Sequence, residues 1–245
     1  MKSEVVATLV CCFVGFTLFL CGIQFAIIPD IGYNEISDSD SEYSIFIRTN
    51  DSGYSEIHIK VGDCSEYNFQ FIGRMVSPCS EYRFVTPDES HIVYIAEQIM
   101  SLEHSFENRI DTACRLVNYI VHYKSDSDDH WVFDYKQYPA ETLRSRSGDC
   151  EDYATLLASI IKAMRYDAMV FSNHKHAVVG VLDEKGGYLY KGEHYSLWDS
   201  TCGMRVNNYY DFKPVVEGDC LVWMLFFTTI TILTYFAITY ICEKK

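Results

Sequence analysis

The chain has 245 residues, of which 49% are hydrophobic, and 20 Lys and Arg against 34 Asp and Glu give a formal net charge of -14. The hydrophobic fraction excludes a disordered chain. The acidic balance repels phosphate backbones and argues against a nucleic-acid partner, and ten cysteines are too few for a disulfide-rich scaffold.

Each end of the chain carries a long uncharged segment. Residues 5–28 and 221–242 contain no Asp, Glu, Lys or Arg. A helix over the first segment would be about 36 Å long, enough to cross a hydrocarbon core of about 30 Å. We therefore predict two membrane-spanning helices. A cleaved signal peptide is the alternative for the first, although its apolar stretch is longer than usual and Pro29 and Asp30 follow without a small-residue cleavage site.

Lysines lie outside both predicted spans, at Lys2 and at Lys244–Lys245, whereas the segment after the first span is acidic and has no Lys or Arg before Arg48. The positive-inside rule then predicts that residues 1–4 and 243–245 are cytoplasmic. The sequence indicates a double-pass protein of the cell membrane whose central domain is extracytoplasmic.

Residues 29–42 are rich in Asp, Ser and Glu, which is typical of a linker. Residues 43–86 predict a small β-rich segment, either a separate module or the edge of the next domain. Cys64 and Cys79 could be bridged outside the cytoplasm or remain free thiols. Asn50 begins a glycan acceptor triplet. The predicted strands are Tyr43–Arg48, Glu56–Val61, Asn68–Ile72 and Tyr82–Val85.

Helical periodicity replaces the strand pattern after residue 87. Apolar residues at helical spacing predict two helices, through Ile92, Ile95, Ala96, Ile99 and Met100 and then Ala113, Leu116, Val117, Ile120 and Val121. Pro139 is expected to break the chain, and a third helix begins near Cys150. Strands follow at Met169–Phe171, Ala177–Leu182, Tyr188–Tyr190 and Tyr195–Trp198. Helices followed by strands predict an α+β domain over 87–213, with a linker at 214–220.

Cys150 lies where the third helix begins. Asp149 is a typical N-cap residue, and Glu151 and Asp152 place negative charges in the first turn. The positive end of a helix favours a thiolate over a thiol, as a cysteine nucleophile requires. The two carboxylates oppose ionisation if they point at the sulfur, so a histidine partner is needed to pair with the thiolate and protonate the leaving group.

Two histidines, His174 and His176, are candidates for that partner. His176 directly precedes an apolar strand that would hold it rigidly, whereas His174 lies in the preceding turn and is the second choice. Asp199 ends another apolar strand and can orient the imidazole and stabilise the imidazolium. The pattern predicts a Cys150, His176 and Asp199 triad.

Three of these segments together resemble the transglutaminase-like superfamily, which shares the papain-like core: Gly148–Asp152, His176 with its strand, and Trp198–Thr201. The Pro-x-Glu-Thr-Leu motif at 139–143 is similar to the microbial transglutaminase-like cysteine peptidase branch. The resemblance covers about 87–213. It implies that Cys150 is the nucleophile, His176 the general base and acid, and Asp199 the orienting residue. It also implies a cysteine-bearing helix packed against an antiparallel sheet.

The predicted function is a membrane-anchored thiol enzyme that forms a thioester at an amide or isopeptide bond of a protein, peptide or cell-wall polymer. Glu151 stands where cross-linking transglutaminases usually have an aromatic residue, Val178 where the family strand often has Trp, and Ser200 where Pro often follows the Asp. These departures favour hydrolysis over amine transfer. For the oxyanion, the Cys150 backbone N–H is one candidate donor, and Gln137 and Tyr138 are side-chain candidates.

Two alternatives stay open: a catalytically inactive binding or scaffold module of this fold, and a protein cross-linking transglutaminase. The sequence has no His-Glu-x-x-His, Cys-x-x-Cys or Gly-rich phosphate loop, so we expect neither a metal nor a cofactor. Cys202 is either a spare thiol or a disulfide partner of Cys114 or Cys220.

Overall fold

A computed structural model of the chain describes residues 41–61, 84–125, 135–173, 175–206 and 212–215. The predicted spans 5–28 and 221–242, the strand Asn68–Ile72, the Cys64 and Cys79 pair, and His174 lie outside the described residues. Among the helices of the described ranges, none is both long and apolar enough to serve as a membrane span.

Four helices lie in the described part of the chain: α1 (Ser90–Leu102), α2 (Phe106–Ile120), α3 (Pro139–Ser145) and α4 (Cys150–Ala163). The predicted apolar faces of α1 and α2 are buried, as the periodicity indicates. Helix α4 is buried along ten consecutive residues, Asp152–Ile161, because it contacts the other three helices and the sheet. The cysteine-bearing helix therefore lies at the centre of the fold.

The main sheet has six strands in the order β10-β5-β6-β8-β7, with β9 pairing with β8, and all its pairs are antiparallel. The strands are β5 (Ala168–Ser172), β6 (Ala177–Leu182), β7 (Tyr188–Tyr190), β8 (Glu193–Asp199), β9 (Met204–Arg205) and β10 (Lys213–Pro214). The four strands predicted after residue 168 are confirmed. The α+β class, with helices packed on an antiparallel sheet, is confirmed as well.

A hairpin of β1 (Ser41–Thr49) and β2 (Gly53–Val61) precedes the helices, as predicted. Its buried face belongs to the same hydrophobic core as α1, α2 and α4. The amide of Gln98 on α1 bonds to both backbone polar groups of His58, at 2.8 Å each, as a neighbouring strand would. The hairpin, which is the described part of this segment before residue 62, thus packs as an edge of the domain.

Two predictions of secondary structure are wrong. Residues 84–85, the described part of the strand predicted at Tyr82–Val85, are not in a strand. Pro139 does not break the chain but opens α3, because proline at the first helical position loses no backbone hydrogen bond there. The Glu141 carboxylate caps α3 by accepting the backbone N–H of Tyr138 at 2.8 Å. Helix α3 leads into β4 (Ser147–Gly148), which pairs in parallel with β3 (His122–Tyr123) directly before Cys150.

Candidate active site

The turn that carries Cys150 is built around the buried carboxylate of Asp152. One oxygen accepts the backbone N–H of Gln137 at 2.8 Å, and the other accepts the backbone N–H of Asp149 at 3.2 Å. Gly148 permits this packing, since a Cβ there would lie 2.7 Å from the Asp152 side chain. Asp152 therefore joins the segment before α3 to the first turn of α4 and fixes where Cys150 begins the helix.

The Cys150 thiol is half-buried and donates a hydrogen bond to the Glu151 carboxylate, with sulfur and oxygen 3.3 Å apart. Burial raises the pKa of the thiol, and the charges of Glu151 and Asp149 raise it further. The backbone N–H of Ala177 contacts the sulfur and acts in the opposite direction. Burial and the charges of Glu151 and Asp149 therefore outweigh the effect expected of the helix end, and carboxylates oppose ionisation of the thiol as the sequence suggests.

His176 is held by the turn between β5 and β6. The side-chain oxygen of Asn173 accepts the backbone N–H groups of Lys175 and His176, each at 2.9 Å, and the Asn173 N–H donates to the His176 carbonyl. The ring of Phe212 lies 6.4 Å from the imidazole, centroid to centroid. Since Ala177 contacts the Cys150 sulfur, this turn brings His176 next to the first turn of α4.

Asp199 lies at the end of β8 and pairs with His176, whose Nε2 is 2.8 Å from Asp199 Oδ2. The hydrogen bond to Asp199 raises the pKa of His176 against the opposing effect of burial. Burial would raise the pKa of Asp199, but hydrogen bonds from His176, Thr201 and Cys202 outweigh it and lower this pKa to about 2. With Nε2 directed at the carboxylate, Nδ1 is the ring atom left for a proton from another group.

The structure thus brings the three predicted residues into one region from three different elements. His176 and Asp199 make a direct contact, and Cys150 joins them through the backbone contact of its sulfur with Ala177. An acid–base pair beside a thiol is the arrangement that nucleophilic catalysis by cysteine requires.

The two side-chain candidates for the oxyanion site are buried in structural contacts. Gln137 donates from Nε2 to the Ser147 carbonyl at 3.1 Å and accepts from the Ser145 hydroxyl at 3.2 Å. Tyr138 is 1% exposed and stacks against Phe84. Both side chains are used in contacts within the segment that precedes α4. The Cys150 backbone N–H therefore remains the candidate oxyanion donor.

Two supporting residues escaped the sequence analysis. Asn173 stands three residues before His176, and Thr201 stands two after Asp199, where its backbone N–H and hydroxyl both donate to Asp199 Oδ1. Short polar side chains at these offsets are a recognisable sign of turns closed by a side chain. Cys114, Cys150 and Cys202 are free thiols, and Cys202 also donates to the Asp199 carboxylate.

Of the described residues, Asp149, Cys150 and Glu151 form a group that could hold a metal ion, because each offers one ligand atom and these atoms lie within 4.8 Å of one another. Two of those atoms, the Cys150 sulfur and a Glu151 oxygen, already share a hydrogen bond.

Residues 88–189 match a family model described as a transglutaminase-like domain. Over these residues the chain is similar to the transglutaminase-like family. The match includes Cys150 and His176, whereas Asp199 lies ten residues beyond its end (199 − 189). No curated protein matches the sequence.

Solved structures similar to this chain include LapG from Legionella pneumophila, with 19% identity over 50% of this chain and 69% of that one and a TM-score of 0.38. A candidate cysteine protease from Cytophaga hutchinsonii has 13% identity over 73% of this chain and 66% of that one, with a TM-score of 0.39. A candidate protease from Parabacteroides distasonis has 14% identity over 68% of this chain and 41% of that one, with a TM-score of 0.34.

Proposed function

We propose that this chain is a membrane-anchored thiol hydrolase of the transglutaminase-like cysteine peptidase branch that cleaves an amide or isopeptide bond. Cys150 is the nucleophile, His176 the general base and acid, and Asp199 the residue that orients the imidazole. The observation that carries the proposal is the 2.8 Å contact between His176 and Asp199, made directly beside the cysteine turn.

The contacts of the pair support the following path for the proton. Neutral His176 donates from Nε2 to Asp199, so its Nδ1 lone pair receives the Cys150 proton as the sulfur attacks the carbonyl carbon. The negative charge of Asp199 stabilises the imidazolium, which then gives this proton to the departing amine. The acyl group remains on sulfur as a thioester, and water activated by His176 releases it as a carboxylate.

The resting thiol must leave Glu151 before it can react. Its raised pKa means that little thiolate is present at neutral pH, so proton transfer to His176 accompanies attack instead of preceding it. Attack therefore requires that the carbonyl carbon of the substrate lies next to the sulfur while His176 takes the proton. We infer that the substrate is a peptide or isopeptide bond in a surface protein or cell-wall polymer.

The uncharged segments 5–28 and 221–242 and their flanking lysines support the membrane part of the proposal. In this arrangement the domain over 87–213 faces the outside of the cell and both termini lie in the cytoplasm. The linkers at 29–42 and 214–220 then connect the domain to its two anchors.

Hydrolysis of a peptide and isopeptide library by the full chain in detergent tests the proposal. The wild type should release amines, whereas Cys150→Ser and His176→Ala should be inactive at unchanged far-UV circular dichroism. A fluorescent primary amine in the same reaction identifies transfer, since its incorporation into a glutamine-containing protein would replace hydrolysis by cross-linking. Hydrolysis that persists in Cys150→Ser would overturn the proposal.

One observation favours a second candidate, a catalytically inactive module that binds a partner through this fold. Burial and the neighbouring Glu151 carboxylate raise the pKa of the Cys150 thiol and favour its protonated form, which is the state expected of an idle cysteine. The intact pair of His176 and Asp199 favours the enzyme, because a binding module has no need for an oriented imidazole. A wild type without activity on the library would support the module.

A further inference from the structure

The two oxygens of the Asp199 carboxylate have separate sets of partners. Oδ2 faces His176 Nε2 at 2.8 Å, whereas Oδ1 accepts the Thr201 backbone N–H at 2.9 Å and the Thr201 hydroxyl at 2.6 Å. The Cys202 thiol also donates to this carboxylate. The torsion that turns a carboxylate is broad and roughly two-fold, so a carboxylate without such contacts rotates easily. The two donors on Oδ1 restrict this rotation and thereby fix the direction in which Oδ2 points.

Thr201 is itself fixed from outside the turn. Asn118 on α2 donates from Nδ2 to the Thr201 carbonyl at 2.7 Å, and the buried Cys114 thiol on the same helix lies 3.5 Å from the Asp199 carbonyl. Gly203 closes the turn with φ +67°, and a Cβ there would lie 3.1 Å from the Asn118 side chain. The turn is therefore packed directly onto α2.

We propose that Thr201 is a positioning residue for the reaction: its hydroxyl, anchored to α2 through Asn118, aims the Asp199 carboxylate at His176. The inference rests on the proposed function, since orientation of His176 matters for catalysis only if the imidazole moves a proton. The backbone N–H bond alone is an ordinary turn in which an Asp caps the residue two places later. The hydroxyl bond is additional, and a substitution can remove it without touching the backbone bond.

The test compares Thr201→Val, which keeps the shape and the backbone N–H, with Thr201→Ser, which restores the hydroxyl. Thr112→Val is the matched control, because Thr112 also donates its hydroxyl to a carboxylate, Glu103, at 2.7 Å, but lies on α2 away from His176. The first readout is the ring Nε2–H proton of His176 in NMR spectra of the full chain labelled with ¹⁵N-histidine in detergent, assigned by its loss in His176→Ala.

In the wild type this proton should resonate downfield and exchange slowly, because it is held between the ring and Asp199. In Thr201→Val the Nε2–H signal should broaden because the proton exchanges faster with water. The kcat for the library substrate should fall about tenfold with little change in KM, and a tenfold fall is the size expected for losing a hydrogen bond to a charged group. Thr201→Ser should retain both the Nε2–H signal and the wild-type kcat, and Thr112→Val should leave the Nε2–H signal in place. Asn118→Ala, which removes the anchor and keeps the hydroxyl, should weaken the signal in the same direction.

An unchanged Nε2–H signal in Thr201→Val would overturn the inference, as would an equal loss in Thr112→Val, which would point to general loosening of the fold. If Thr201→Val does not fold, Asn118→Ala decides, and an unchanged signal there has the same meaning. The NMR readout needs no substrate. A wild type that hydrolyses nothing would therefore count against the proposed function while the signal still tests the role of Thr201.

Discussion

At the scale of single residues, burial and the carboxylate of Glu151 together make the Cys150 thiol unreactive at rest. A helix N-terminus contributes about 0.3–1 kcal/mol in favour of a thiolate. A carboxylate oxygen 3.3 Å from the sulfur acts against it, and burial of the thiol adds to the effect. Burial and the carboxylate charge outweigh the effect of the helix N-terminus, so the sulfur stays protonated until His176 accepts its proton during attack on a substrate.

We predict that Glu151→Gln makes the resting thiol more reactive. Removing a neighbouring charge changes a pKa by about one to three, so the variant should have a larger thiolate fraction at pH 7. Part of this gain is offset because a thiolate of lower pKa is less nucleophilic, and iodoacetamide should therefore label Cys150 roughly three- to thirtyfold faster. Labelling of the wild type should keep rising with pH, since a raised pKa leaves the thiolate as a minor species at neutral pH. The curve of labelling rate against pH should be shifted to lower pH in Glu151→Gln.

Glu107→Gln is the control for this substitution, because Glu107 is exposed and occupies the same second helical position in α2 that Glu151 occupies in α4. It removes the same charge from an equivalent place far from the sulfur, and it should label at the wild-type rate. Mass spectrometry of the peptide containing Cys150 gives the rate. Equal labelling of wild type and Glu151→Gln would show that the Glu151 charge does not hold the thiol protonated.

The sequence was sufficient to select Cys150, His176 and Asp199 as candidates, because each stands at the end of a regular element with a recognisable pattern. It could not reveal which way Glu151 points, since that depends on the rotamer of one side chain. Thr201 was missed for a related reason. Its bond to Asp199 has a local sign, a short polar side chain two residues later, but its anchoring by Asn118 joins residues 83 apart in the chain and leaves no local pattern.

At the scale of elements, Glu103 joins the β1–β2 hairpin to the helices. This C-cap residue of α1 is 0% exposed, and its carboxylate accepts the backbone N–H groups of Asn50 and Asp51, at 2.7 and 3.1 Å, and the Thr112 hydroxyl. The turn of the hairpin thus ends on a buried carboxylate at the junction of α1 and α2. The exposed Asn50-Asp51-Ser52 triplet is part of this docked turn.

We predict that Glu103→Ala lowers the free energy of unfolding by about 2–4 kcal/mol, because it leaves the buried Thr112 hydroxyl on α2 and two backbone N–H groups of the hairpin turn without their acceptor. Amide exchange at Ile57 and Ile59 in β2 should accelerate, since the hairpin loses its connection to the helices. Glu97→Ala, an exposed position on α1, should stay within about 0.5 kcal/mol of the wild type. A hairpin as protected in Glu103→Ala as in the wild type would contradict this.

Elements were predictable wherever side-chain periodicity reflects burial. The strands β6 and β7 have the predicted bounds, and α4 begins at the predicted residue. Helix α3 was missed because Pro139 was interpreted as a break. The Glu141 carboxylate that satisfies the Tyr138 N–H makes the first helical turn favourable, and a capping contact is weaker evidence in a sequence than a proline.

At the scale of the whole molecule, the proposed anchors would fix the domain from both ends. The hairpin, the four described helices and part of the main sheet share one hydrophobic core. The candidate site lies where α4 meets β6, with Asp199 at the end of the neighbouring strand β8. A domain held at both ends by short linkers can reach only bonds near the membrane surface. This geometry favours a substrate in a surface protein or in the inner layer of a wall polymer.

The proposed topology predicts that Cys202 is accessible from outside the cell. Its thiol is exposed and lies on the turn after β8, so a membrane-impermeant maleimide should label it in intact cells, whereas an epitope tag added after Lys245 should react with antibody only after permeabilisation. Peptide mapping identifies the labelled residue, and Cys202→Ser should lose that label alone. Labelling of Cys202 only after lysis would place the domain inside, because the reagent reaches thiols on its own side of the bilayer. In that case the positive-inside interpretation of so few flanking lysines is wrong, and the substrate has to be sought in the cytoplasm.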